Sequence, residues 1–443
     1  MTETSLKRLT AISRTVLTLF VLGAIGLNAC SLSGPAPTPG PPPSGGWTRQ
    51  FGSPDDDWAY SLTIDGAGNI RVAGTTGLSI GVPPSEKIGA FLAEYDSQGK
   101  EVGTSQFRPP QVGPPQNPFT RRALVDGMGN VYLAGWTDDA PPAQRPSPRV
   151  DAFLTKYDTS GSEAWTRKFG SSGQDWILGV AVDGDGNIYV GGRTDEALPG
   201  QLSSGQIDAF LMKFDGSGKE LWTRQFGSPA DDWVMSLAVD GAGNVYGAGG
   251  TWGALPGQKS SGQEDAFLVK YDGSGKGLWT RQFGSTVDER ALGLAVDGVG
   301  NVYGVGWTEG VLPKQQSSGK RDAFLRKYDS RGGEVWTRQF GTTEGDEALS
   351  VAVDGAGNAY AAGSTKGALP GQGAAGLEDA FIAKYDGRGR ELWASQFGSF
   401  MTDQASIVAV DGAGAVYGAG QTWGSLPGQQ SSGLVDAFLV KIE

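Results

Sequence analysis

The chain has 443 residues, a formal charge of −12, no histidine and a single cysteine, Cys30. Without histidine, imidazole bases, His-dependent triads and imidazole metal sites are excluded, and one cysteine excludes disulfides and thiolate zinc. The acidic balance argues against nucleic acid and against direct adhesion to anionic lipid.

In chain order, residues 1–30 read as an export signal. Lys7, Arg8 and Arg14 lead into an apolar run, Val16 to Leu27, that is short for a membrane span. The Leu27-Asn28-Ala29-Cys30 end resembles a bacterial lipobox, which implies lipid modification of Cys30. Ser31 stands where that resemblance would place an Asp for inner-membrane retention, so the expected address is the outer membrane or cell surface. Residues 31–46, rich in Pro and Gly, form an extended tether.

Residues 47–443 repeat. Trp165, Trp222, Trp279, Trp336 and Trp393 open a WTRQFG-like phrase every 57 residues. A DGxGN-like phrase begins at seven positions from Asp65 to Asp411, and a DAF-like phrase recurs seven times with its Phe between Phe91 and Phe438. Each unit reads as four short strands; in the fourth these are 236–240 (a), 245–249 (b), 265–272 (c) and 277–283 (d). Val, Leu, Tyr, Phe and Trp fill the strands, and Gly, Asn, Asp and Ser bound them. The chain starts on a lone strand d, Trp47 to Phe51, and ends on a strand c, Asp436 to Ile442, that lacks a strand d after it. Pairing the two gives an all-β, seven-bladed β-propeller of four-stranded antiparallel blades, closed by its N-terminal strand.

The phrases DGxGNVYxxG, DAFLxKYD and LWTRQFG resemble the SBBP repeat of bacterial secreted and surface β-propellers. The resemblance implies the fold and carries over no catalytic residue. In the second unit, 108–120 and 138–150 are Pro-rich replacements of the usual d–a and b–c loops.

The a–b and c–d turns are short and share one face, and the long d–a and b–c connections share the other. Long loops on a rigid scaffold are where function is expected. Asp57, Asp175, Asp232, Glu289, Asp346 and Asp403 recur there, with Pro118 in the second unit. As a partial ring at the channel mouth they would take Ca²⁺ or a cationic ligand; as loop caps they would accept backbone N–H bonds instead. Trp58, Trp176, Trp233, Trp252, Trp307 and Trp423 gather at the same face, beside Trp136, in positions suited to sugars or cations, or to packing between loops. The strand-d tryptophans read as blade packing, and the LPGQxSSG phrases as loop structure.

The functional expectation is a non-enzymatic, lipid-anchored binding or scaffold protein of the cell envelope. It would be a monomer without a resident cofactor, offering its long-loop face to a glycan, cation or protein. The alternative is a hydrolase or lyase acting on polysaccharide through paired acids such as Asp56 and Asp232.

Overall fold

The computed structural model describes residues 46–77, 89–108, 117–138 and 150–442. The export signal with Cys30, the tether up to residue 45 and most of both Pro-rich loops lie outside the described residues. All described strands belong to one compact unit, Thr38–Glu443.

Seven four-stranded antiparallel sheets follow one another. In the fourth blade the strands are Asp232–Val239 (a), Val245–Thr251 (b), Asp265–Tyr271 (c) and Gly277–Phe283 (d). Strand a thus begins four residues earlier than the hydrophobic pattern predicts, because the bulge between Val234 and Ser236 interrupts the alternation along it. In the second blade strand a is Asn117–Val125, so the end of the expected d–a loop is strand.

The last blade is completed from the front of the chain. Trp47–Phe51 pairs antiparallel with Asp436–Ile442, with Trp47 opposite Lys441 and Phe51 opposite Ala437. Strand a of each blade contacts strand a of the next, and the series returns from the seventh blade to the first. Strand a is therefore innermost. Seven buried apolar clusters fill the seven junctions between blades, and the one between the last and first blades joins Ala59, Ile70 and Phe91 to Tyr417, Ala419 and Leu439.

The repeated phrases are instructions for making junctions. In the DGxGN turn, Asp240 accepts from the backbone N–H of Ala242 and Asn244 and from the Tyr246 hydroxyl (2.8 Å). In WTRQFG, Trp222 Nε1 donates to Gly273 O (3.1 Å) and Arg224 Nε to Gly275 O (2.6 Å), both on the c–d turn of the following blade. Gly275 has φ of +78°, and a Cβ there would stand 2.8 Å from the Trp222 ring, so the turn needs glycine twice over. Gln225 turns back to its own blade: its Oε1 accepts from Leu198 N (2.8 Å) and its Nε2 donates to Asp208 Oδ2 (2.7 Å). That fastens the LPGQxSSG loop, whose Leu198 is buried.

Two junctions depart from this pattern. Between the first and second blades, Gly103 and Ser105 stand in place of the clamping Trp and Arg, and between the sixth and seventh Ser395 replaces the Arg.

Two outcomes follow from closure. Deleting 47–51 should leave Asp436–Ile442 as an open apolar edge and produce concentration-dependent association by size exclusion. Phe51→Ala should cost about 3 kcal/mol in denaturant unfolding, because Phe51 packs edge-on against Phe91 at 5.8 Å.

Candidate functional site

The six acids predicted at the channel mouth are the first residues of strand a and lie beneath the loops. Asp57 is 3% exposed, Asp346 1%, and Asp175, Asp232, Glu289 and Asp403 0%. Each caps its own d–a loop: Ser228 N donates to Asp232 Oδ2 (2.6 Å), Ser285 N to Glu289 Oε2 (2.6 Å) and Ser399 N to Asp403 Oδ2 (2.7 Å). The same bond is made at Asp57, Asp175 and Asp346. The expectation of an open ring of carboxylates is therefore corrected. A short side chain at the start of an inner strand reaches the loop above it before it reaches the channel. Among the described residues no three carboxylate or thiol groups come together as a metal-binding set.

A second carboxylate faces each cap across the junction. It is the Asp of the DAF phrase on the preceding blade, so Asp232 faces Asp208 and Asp403 faces Asp379. The partner of Asp232 is therefore Asp208 and not Asp56, which lies on the first blade. The glycine of the FG phrase sits between the two: a Cβ on Gly227 would lie 2.5 Å from Asp208 Oδ1 and 2.6 Å from Asp232 Oδ2. Glycine is needed here for room, because two carboxylates occupy the side-chain position. Where the pair is missing the glycine is missing too. At the junction of the first and second blades Gly89, Arg108 and Pro118 replace Asp, Gly and the acid together. Three residues distant in sequence thus change as one unit.

These pairs carry an electrostatic cost. Oδ1 of Asp232 is buried and receives no hydrogen bond. Burial pushes Asp232 and Asp403 up to about 6, with the facing Asp adding to the shift. Burial likewise raises Asp57, Asp175, Glu289 and Asp346. A proton on Asp232 would remove one of two facing charges.

The tryptophans of the long-loop face pack on one another and on arginines. Trp58 meets Trp423 edge-on at 5.2 Å, and Trp136 stacks on Trp176 at 4.6 Å. Arg193 lies over Trp176 at 4.3 Å. Arg290 reaches both Trp233 and Trp307, and Arg321 covers Trp307 at 4.1 Å. Arg290 is itself gripped by the buried Glu264 through two bonds of 2.5 and 2.6 Å. Trp58, Trp233 and Trp307 are buried, while Trp176, Trp252 and Trp423 are half-buried. The structure thus brings Trp58 to Trp423 and Trp136 to Trp176 across blade junctions and ties Trp233 and Trp307 through Arg290, while Trp252 takes no part in these contacts; the arginines were not singled out by sequence reasoning. Their signal is that each replaces a different residue type at the same repeat position.

Sequence reasoning also missed an exposed apolar group. Leu377 (67% exposed), Phe400 (66%) and Leu434 (77%) lie on the long loops of the sixth and seventh blades. Leu377 N donates to Met401 O (3.0 Å), which sets Leu377 beside Phe400. Gln206, Gln263 and Lys320 occupy the Leu377 position in other blades, and Thr286 and Thr343 the Phe400 position.

The buried pairs set a pH dependence. A carboxylate whose folded pKa lies above its unfolded value binds protons in the native state first. Stability should therefore rise as pH falls from 7 through about 6, by on the order of 2–3 kcal/mol for each acid shifted this far, until the unfolded chain protonates near the ordinary aspartate value of 3.8. Below that, the turn acids Asp183, Asp240 and Asp354 oppose the gain. Burial acts to raise them but is outweighed by bonds from Asn and Tyr side chains, which hold them low. Asp232→Asn should raise the Tm at pH 7.5 and flatten its rise toward pH 5.5. Gly227→Ala should lower it at every pH by about 1–3 kcal/mol.

Four segments, residues 46–77, 164–198, 221–256 and 335–370, match the family model described as SBBP: Beta-propeller repeat. Each begins with strand d of one blade and ends after strand b of the next, so the sequence unit is a junction. The regulatory protein FlaEY of Caulobacter vibrioides is 28% identical over 422 residues, which cover 85% of this chain and 42% of that protein. The uncharacterized WD repeat-containing protein L264 of Acanthamoeba polyphaga mimivirus is 22% identical, over 57% of this chain and 18% of its own. The chain thus spans less than half the length of these curated relatives. Among solved structures, the polysaccharide lyase Uly1 is 13% identical with a TM-score of 0.47, covering 89% of this chain and 91% of that one. The Neurospora crassa Pan2 WD40 domain is 10% identical with a TM-score of 0.46, over 86% and 88% of the respective chains. With four of its repeats matching that model and its strands forming a closed ring of seven four-stranded blades, the chain is a seven-bladed β-propeller built from SBBP-like repeats.

Proposed function

We propose that this propeller is a non-enzymatic binding scaffold of the cell envelope, tethered through a lipid on Cys30, and that its long-loop face receives a protein partner. The observation that carries the reading is exposed Leu377 set beside exposed Phe400, with exposed Leu434 at the Leu377 position of the next blade, where Gln206, Gln263 and Lys320 stand elsewhere in the ring. Exposed apolar side chains set together mark interaction surfaces. The rest of that face supports a scaffold role: its carboxylates cap loops and its tryptophans and arginines tie blades. A rigid ring offering contacts also agrees with the regulatory role named for the Caulobacter relative.

An enzyme acting on polysaccharide draws less support, because acid and base must both touch a sugar and, of the pair suggested for it, Asp232 is fully buried while Asp56 is partly exposed and lies on a different blade.

Site-specific photo-crosslinking in cells of the source organism tests the partner. A crosslinker at position 400 should give one discrete adduct, and the same group at Val299, exposed on the short-turn face, should give none. Equal labelling at both positions would refute the docking face. Metabolic labelling with a fatty acid should mark the parent and not Cys30→Ser; label retained by the variant would refute the anchor. A glycan array whose hits are lost in Trp176→Ala would replace the protein partner with a sugar.

A further inference from the structure

The central channel has one electrically distinct sector. At the fifth and sixth residues of its strand a, the second blade places Arg121 and Arg122, where the other blades, at the aligned positions, carry Tyr60–Ser61, Leu178–Gly179 or Met235–Ser236 and equivalents without charge. Arg122 Nε donates to Leu178 O on the third blade (2.7 Å), and its guanidinium lies 5.4 Å over the Tyr60 ring on the first. A side chain that touches both neighbours of its own blade runs along the inner rim, where the a strands of three blades meet.

Neither arginine has a carboxylate partner among the described residues. Nε of Arg121 is buried and makes no hydrogen bond. Burial, with the adjacent charge of Arg121, pulls Arg122 down to about 10. Two guanidiniums side by side without a counter-charge, in a chain of net charge −12, make a local site of the opposite sign. The bulge that re-aims Arg121 recurs in every blade, between Thr120 and Arg122 here. Across the channel the bulged residues are Met235, Leu292 and Leu349, partly exposed and apolar. The channel thus pairs a cationic sector with an apolar wall.

We propose that Arg121 and Arg122 form an anion receptor inside the ring, for an organic ligand whose carboxylate or phosphate bonds the guanidiniums while its apolar body lies against the leucine side. The guanidinium forks supply the bidentate donors such oxyanions take. This reading is independent of the long-loop face, because it concerns the channel and a different blade.

The test uses the full chain carrying Cys30→Ser, so that no lipid competes, at pH 7 and low salt, with octanoate as probe and 1-octanol as its neutral counterpart. Calorimetry should show saturable octanoate binding, at least tenfold tighter than octanol. The Arg121→Gln/Arg122→Gln double variant should bind octanoate at least tenfold more weakly, and Arg388→Gln, an exposed turn residue, should bind as the parent does. Without ligand, the double variant should melt no lower than the parent, since it loses two unopposed like charges; a purely structural pair would melt lower. The proposal fails if the parent does not bind octanoate, if it binds octanol equally well, or if the double variant binds like the parent. The first two results need no variant to fold.

Discussion

Everything in this molecule depends on the five-residue strand Trp47–Phe51 completing the sheet that ends the chain. A propeller blade buries both faces against its neighbours, so a row of blades always has two apolar faces left over. Only a ring has none. The pairing of Trp47–Phe51 with Asp436–Ile442 converts a linear array into that ring at the cost of ordering one short segment.

The junction, more than the blade, is the unit that the sequence repeats. Trp and Arg of WTRQFG grip the next blade's turn, Gln secures a loop, Phe enters the apolar cluster, and Gly leaves room for two acids. The ring therefore conserves a cost along with its contacts: facing carboxylates with oxygens that accept no hydrogen bond. Such pairs do not stabilise at neutral pH. They fix geometry, because each carboxylate accepts N–H groups from a different loop, and both loops are then set relative to one strand end. The price is met by seven buried clusters.

The fold was legible because its signals are periodic. A 57-residue spacing survives drift, and a strand d at one end matches the strand missing at the other. Strand starts were less so: Asp232 looks like a loop residue, yet its backbone pairs with Thr251. The acids show why a site is harder to read than a fold. A recurrent carboxylate on a loop face fits a cation ring or a cap equally well, and only three-dimensional burial separates them. The tryptophans posed the same ambiguity, and the arginines over Trp176 and Trp307 favour packing between loops at those two rings. The residues that break the repeat, Leu377, Phe400, Leu434, Arg121 and Arg122, were visible as letters all along. Periodicity draws attention to what recurs, whereas the distinctive surfaces of this ring lie where recurrence stops.

Because the two ends of the ring lie on adjacent strands, the place where the polypeptide is cut is arbitrary. Bridging Ile442 to Trp47 with a turn like Asp272-Gly273-Ser274-Gly275 would give the seventh blade the connectivity of the other six. New termini opened in any other c–d turn would then leave every sheet intact. The molecule is in this sense a circular permutant of itself, and its start is a property of synthesis and not of architecture.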